Sequence, residues 1–355
     1  MDNITHTLFG WTLARSGATR ATPYATATLL LASNAPDADI VTAFTGGGLQ
    51  YLSAHRGPTH GPLGFAGLGV LTATLVFLVA RWRAWRAGRP LERPAALFGQ
   101  LCAVGVAGVV LHALMDLPTS YGTRLLSPFL PTWYAFDWMP IIDIYLLAVL
   151  AGGFVIALRR TPAAQMRIAR VVLVLMVADY AGRAVLHDRA LDAAATRKAD
   201  GTPSPCLSRP TLSRHPLPID REAPAGTCLQ AAALPTFVSP FEFRIVRQYP
   251  HGYELSERNV LAPGAVGSLW IDAEQGPAID RAADTRTGRV FLDFSRFPAA
   301  AVEKGPTGGA VVRFVDLRFM GTPLRLDGRP QARVPSAMTV RLDGKGRVLL
   351  EYLGS

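Results

Sequence analysis

Residues 55–80 read HRGPTHGPLGFAGLGVLTATLVFLVA, and the change of character inside this stretch decides what kind of chain this is. Two histidines and an arginine in a Pro- and Gly-rich turn lead straight into an apolar run, Leu63 to Ala80, that carries no charge. A run of that length approaches the roughly 20 apolar residues that carry a helix across a bilayer. Pro58 and Pro62 suit a turn and a first helical position, where the missing N–H costs nothing. A neutral imidazole binds borderline metals near pH 7, so HRGPTH reads either as a solvated interface loop or as part of a metal site.

Composition supports the membrane reading. Of 355 residues, 50% are hydrophobic and only 17% are charged, against about 25% charged in soluble domains. The net charge of +10 comes mainly from arginines spread along the chain. No lysine-rich tail or aromatic-interleaved basic patch is present, so the charge fits loop topology and membrane apposition and argues against nucleic-acid binding. The N-terminal MDNITHTLFG lacks a basic region followed by an apolar core, and no cleavable signal peptide is expected.

Upstream of the turn, residues 1–15 form a short helix capped by Asn3 or Thr5, and Tyr24 to Ala32 a second one. Neither can span a bilayer. Together they read as a buried hairpin, with Arg15 and Arg20 near its apex and His6 returned close to Asp37 and Asp39 of the PDAD turn. Residues 42–54, with Gly46, Gly47 and Gly48, read as a flexible connection.

Downstream, Ala95 to about Leu117, Pro140 to Leu158 and Ile168 to His187 supply three more spans. The arginine-bearing loops 81–93 and 159–167 then share one side, which the positive-inside rule makes cytoplasmic. His55, Arg56 and His60 precede the first span, His112 and Asp116 end the second, and Asp143 begins the third. All therefore sit at the opposite, extracytoplasmic end. Scattered structural polar residues would have no reason to share one level.

The tail changes composition twice. Residues 190–235 are rich in Pro, Ser, Thr and Ala and read as a linker. From 236 to 355 the pattern is strand-like: 241–249, 253–261, 268–274, 289–297, 311–319, 338–343 and 347–352 alternate between Gly and Pro breaks. The expectation is a small antiparallel sandwich or half-barrel outside the membrane. Cys206 and Cys228 could pair there, since disulfides persist only in oxidising compartments; Cys102 reads as packing.

His112 and Asp116 lie four apart and so share one helix face. Burying a carboxylate at a membrane helix is unfavourable unless it has a partner, either a hydrogen-bonded histidine or a shared metal ion. Asp37 and Asp39 could ligate, orient a histidine or cap a turn. Asp143 could be a further ligand or a general base. Asp179 and Arg183, also four apart, read as an ion pair outside the site, and His187, His215 and His251 as interface or surface residues.

The motifs MDNITHTLFG, NAPDAD, HRGPTHG, LHALMDLPTSYGTRLLSPF and PIIDIY, in this order, resemble the YdjM-like family of membrane-bound proteins regarded as metal-dependent hydrolases. The resemblance covers about residues 1–160, and the VVRFVDLRF segment is similar to longer members. Where that family usually carries Ser after the second histidine of its turn, this chain has Gly61. The order of an N-terminal histidine, PD, paired histidines and HxxxD is also similar, more distantly, to zinc-dependent phospholipase C.

These readings converge on an α-helical integral membrane domain, a short N-terminal hairpin plus about four transmembrane helices, followed by a small antiparallel β domain. The expected function is metal-dependent hydrolysis of an ester or phosphodiester, such as a lipid, at the outer face of a bacterial-type inner membrane. His55, His60, His112 and Asp116 are the expected ligands, with His6, Asp39 and Asp143 completing one or two divalent ions, zinc first. Arg56 would hold a substrate anion, and Asp37 would orient a histidine or ligate. The competing reading is a non-enzymatic membrane protein with a structural metal and a partner-binding β domain. A transporter fits less well, because the polar residues gather at one rim and not at the bilayer midplane.

Overall fold

The computed structural model describes residues 1–19, 22–193, 196–197, 203–204, 206, 222–224, 226–262, 267–305, 308–320 and 337–354. Arg20 and His215 lie outside the described residues. The chain divides into two compact units. The first comprises 1–41, 54–135 and 139–183; the second comprises 42–53, 136–138 and 184–355.

The first unit is helical. Helix α1 (Asn3–Arg15) is capped one residue earlier than expected, by Asp2, whose carboxylate accepts the amides of Ile4 and Thr5 at 3.0 Å. A carboxylate at a helix N-terminus meets both the free N–H groups and the helix dipole. Helix α2 (Ala25–Ala32) follows. A 3₁₀ turn at Pro36–Ile40 leads into α3 (Val41–Ala54), whose residues 42–53 belong to the second unit. The expected flexible connection at 42–54 is thus helical, broken only at Gly47, which takes φ 71°.

Helices α4 (Pro62–Arg86) and α5 (Pro94–Asp116) are long and apolar enough to cross a membrane, at about 37 and 34 Å by helical rise. Their axes approach through glycine, as membrane helices do where small residues let backbones meet. A Cβ added at Gly105 would lie 2.3 Å from the Gly69 carbonyl oxygen. Helix α6 (Ile144–Ala157) is apolar but has only 14 residues, short of the roughly 30 Å hydrocarbon core. Residues 140–143, expected within it, stay outside because Asp143 is its N-cap. Helix α7 (Pro162–Ala193) has 32 residues and includes Arg167, Arg170, Asp179 and Arg183. Length and composition thus single out two candidate spans among the described residues, where sequence reading expected about four.

The second unit is mainly antiparallel sheet. Strands β1 (Thr196–Arg197) and β2 (Pro203–Ser204) make a minimal pair. Strands β3 (Gln230–Pro235), β4 (Glu242–Tyr249), β5 (Gly252–Asn259) and β6 (Ser268–Asp272) form one four-stranded meander. After α8 (Pro277–Ala283) and α9 (Arg286–Phe294), strands β7 (Pro298–Lys304), β8 (Ala310–Asp316), β9 (Ala337–Leu342) and β10 (Val348–Leu353) form another. Val246, Tyr253 and Leu255 of the first sheet share a core cluster with Phe297, Ala299 and Leu317. The β9–β10 turn closes on Asp343, whose carboxylate accepts the amides of Lys345 and Arg347.

Three expectations for this tail change. The stretch 289–297, expected as a strand, is largely helix α9: Thr285 caps it, and Thr287, Gly288, Phe291 and Phe294 form a buried stripe at helical spacing. Strand β3 lies inside the segment expected to be linker, and β7 had no strand assigned to it. Cys206 and Cys228 are disulfide-bonded.

Candidate metal centre

Four short segments of the first unit deliver the polar residues. Asp37 and Asp39 come from the 3₁₀ turn, His55 to His60 from the turn before α4, His112 and Asp116 from the last turn of α5, and His6 from α1. Spacing on α5 does part of the work, since residues four apart project from one face. The turn before α4 needs Gly61, because a Cβ there would lie 2.0 Å from the Ser127 carbonyl oxygen. A serine at this position would not fit unless the 127 segment moved.

Asp37, His60, His112 and Asp116 each present one donor atom, and the four atoms lie within 4.8 Å of one another. Nε2 of His60 and Nε2 of His112 are 3.2 Å apart. Oδ2 of Asp116 lies 3.4 Å from the former and 3.5 Å from the latter. Oδ1 of Asp37 lies 3.7 and 3.5 Å from the same two nitrogens. The side chains of His60, His112 and Asp116 are wholly buried, and that of Asp37 is 12% exposed.

The surrounding hydrogen bonds fix which atoms face inward. Nδ1 of His112 lies 2.7 Å from the Ser33 carbonyl oxygen, which can only accept, so Nδ1 carries the proton and Nε2 keeps its lone pair. On the other histidine, Nδ1 is 3.0 Å from the Thr59 hydroxyl, which in turn donates to Asp39 at 3.2 Å. That chain assigns the Nδ1 proton of His60 as well and leaves its Nε2 bare. Two lone pairs facing each other at 3.2 Å are the arrangement a shared cation requires. Second partners of this kind orient metal-binding histidines in general.

Asp116 is similarly divided. Its Oδ1 is held by the Met1 α-amino group and by an Arg56 guanidinium nitrogen at 3.0 Å, while Oδ2 accepts no hydrogen bond. Arg56 also donates to Thr119 Oγ1 and to the Gly122 carbonyl, and it lies 4.8 Å over the Tyr121 ring. Asp39 gathers the turn itself, taking His55 Nδ1 at 2.9 Å and the Arg56 amide at 3.0 Å. His6 stacks on His112 with ring centres 3.8 Å apart, and its Nε2 lies 3.5 Å from Asp116.

Burial lowers the pKa of His60 to about 4 against the opposing pull of Asp116. Burial and the neighbouring His112 likewise take His6 to about 4. Burial acts to raise the Asp37 carboxyl pKa, but its contact with the His112 imidazole holds the group below its usual range. Both imidazoles are therefore neutral and the carboxylate ionised at neutral pH, the states in which each can ligate.

Of the residues singled out in the sequence, His6, Asp37, Asp39, His55, Arg56, His60, His112 and Asp116 converge here. Only Asp37, His60, His112 and Asp116 form the inward-facing group; His55 and Asp39 pair with each other beside it. Asp143 is placed apart: its carboxylate caps α6 through the Tyr145 and Leu146 amides at 2.9 Å and pairs with Arg183. Arg183 also lies 3.7 Å from Asp179, so the expected i, i+4 pair is shared with a third residue. His187, expected at an interface or surface, is buried at 3% exposure in the second unit. Thr59, the Ser33 carbonyl, Thr119 and the Met1 amine were not anticipated. Thr59 stood inside the motif, and a backbone carbonyl leaves no mark in sequence.

No curated protein and no solved structure matches this chain. A family match does exist, to the YdjM inner membrane protein family, and it covers residues 1–188, which contain every residue of the centre. Spanning more than half of the 355 residues, that match makes the chain a member of the YdjM inner membrane protein family.

Proposed function

We propose that this chain is a membrane-bound, metal-dependent hydrolase acting on an ester or phosphodiester, a lipid being the substrate that can reach it from the bilayer. The single observation that carries the reading is the inward-facing set of two imidazole nitrogens and two carboxylate oxygens within 4.8 Å. The residues fit a divalent ion: both Nε2 atoms keep lone pairs, and Asp116 Oδ2 is a buried anionic oxygen with no hydrogen bond. Imidazole with carboxylate is a donor set that zinc accepts readily. A bound ion would polarise the scissile group and lower the pKa of its water towards about 7.

The chain's own residues would do the rest. His60 and His112, each locked by its Nδ1 partner, would hold the ion without searching rotamers. Arg56 would keep Asp116 ionised and aimed. Asp37, the group's solvent-accessible member, stands where a substrate would arrive and could orient the attacking water.

The orientation belongs to the same proposal. Arg81, Arg83, Arg86, Arg89 and Arg93 follow the first apolar run, Arg159 and Arg160 lie between α6 and α7, and Arg167 lies in the first turns of α7. The positive-inside rule assigns these to the cytoplasm, with α6 and α7 completing a four-helix membrane unit and the second unit outside. The Cys206–Cys228 bond supports that side, since such bonds persist in oxidising compartments.

A structural metal is the second reading, favoured by the full burial of three of the four side chains. One experiment separates the two: metal content and turnover of detergent-purified protein over a panel of lipids and model phosphoesters. Wild type is expected to carry metal and hydrolyse at least one substrate, and His112→Ala and His60→Ala to lose both. Metal without turnover across the panel moves the assignment to the structural reading. Full metal in both alanine variants removes the centre altogether.

A further inference from the structure

Along α6 and α7, a recess of about 720 Å³ runs between the two helices. Its walls are apolar, formed by Val149, Ile156, Val171 and Leu175, and Arg160 and Arg167 line its end. Helical rise puts Arg160 about 25 Å from Asp143, at the other end of α6.

A pair of adjacent glycines makes the shape. A Cβ on Gly153 would meet Val172 Cγ2 at 2.3 Å, so this residue lets the helices touch and forms the floor. A Cβ on Gly152 would meet nothing within 4 Å, so the neighbouring position opens outward and leaves the recess. The surface around it is apolar too, with Ile156 and Val171 each 58% exposed. On the proposed reading of α6 and α7 as membrane helices, on which this inference rests, such a surface faces acyl chains. No ion pair among the described residues engages Arg160 or Arg167.

We infer that this recess is a binding site for an anionic phospholipid, with an acyl chain lying over Gly152 and the phosphate held by Arg160 and Arg167. The volume falls within the roughly 300–1,000 Å³ of small-molecule sites. An apolar slot ending in two guanidinium groups complements a lipid that is apolar along its length and anionic at its head. Guanidinium matches phosphate oxygens in a two-pronged geometry, and basic pockets between membrane helices take anionic headgroups for that reason. A second transmembrane helix seated in the slot would cover the apolar walls but leave both cations unmatched.

The test is native mass spectrometry of the full chain in detergent, titrated with phosphatidylglycerol or phosphatidylethanolamine of identical acyl composition. Wild type is expected to retain the anionic lipid about thirtyfold better, as two interfacial arginines imply. The double variant Arg160→Gln/Arg167→Gln should lose that preference while keeping weak binding of both lipids. Gly152→Trp fills the slot from a position with free space and should lose retention of both while keeping its arginines. Circular dichroism on each variant checks that the helices persist. Equal retention of the two lipids by wild type, or unchanged retention in Gly152→Trp, would overturn the inference. So would displacement of the lipid by free inorganic phosphate, or a lipid-free dimer that Gly152→Trp dissolves.

Discussion

Asp116 keeps one oxygen clamped between cations and the other bare, and Arg56 is what holds it so. The sequence suggested that Arg56 grips a substrate anion. In the structure two of its nitrogens are engaged by Asp116, Thr119 and Gly122. Arg56→Lys is therefore expected to cost metal as well as turnover. A single ammonium nitrogen cannot stand in for two separate guanidinium nitrogens held in a planar fork, and a buried carboxylate that loses its partner is destabilised by about 3–5 kcal/mol. Calorimetric metal titration checks this: affinity equal to wild type, with only turnover lost, would return Arg56 to the substrate. At this scale the inward-facing set was readable because His60, His112 and Asp116 stand out in an apolar context. The split roles of His55 and Asp39 were not, because neighbours in sequence share motifs while only coordinates show which atom points where.

Among the elements, α4 and α5 were the plainest in sequence, since uncharged runs of that length have few other uses. What the runs did not reveal was how closely they pack. Gly69 and Gly105 set that distance, and Gly105→Leu is expected to force the pair apart. Overpacking typically costs about 1–3 kcal/mol, and because α5 carries His112 and Asp116 the variant should also lose metal. A thermal melt in detergent with metal content read alongside will show both losses; an unchanged melting temperature would mean that the glycine contact contributes nothing. Helix α9 was misread for a physical reason. Its run RVFLDF alternates well enough for a strand, and a window of that length cannot separate period 2 from period 3.6. The deciding signal was Thr285, whose hydroxyl takes the Gly288 amide at 3.0 Å. Strand β7, PAAAVEK, has too little side chain to announce itself.

For the whole molecule, sequence expected helices first and sheet afterwards, and the antiparallel sheets do follow the helical N-terminal region. It could not place 42–53 and 136–138, which belong to the second unit only through long-range contacts. Orientation is open to direct test. A periplasmically active reporter at the C-terminus is expected to work and a cytoplasmic one to fail, while non-reducing peptide mapping should recover residues 206 and 228 on one linked fragment. A working cytoplasmic reporter with both thiols free would reverse the topology. The way the centre is assembled also bears on how the protein is made. Its donors are dispersed from residue 37 to residue 116, and half of them sit on the final turn of the second span. A nascent chain held at α4 has only Asp37 and His60, so the complete chelating set is created by the arrival of α5. An ion bound by this set would therefore have to arrive after α5, because a chain interrupted before α5 holds only two of the four donors.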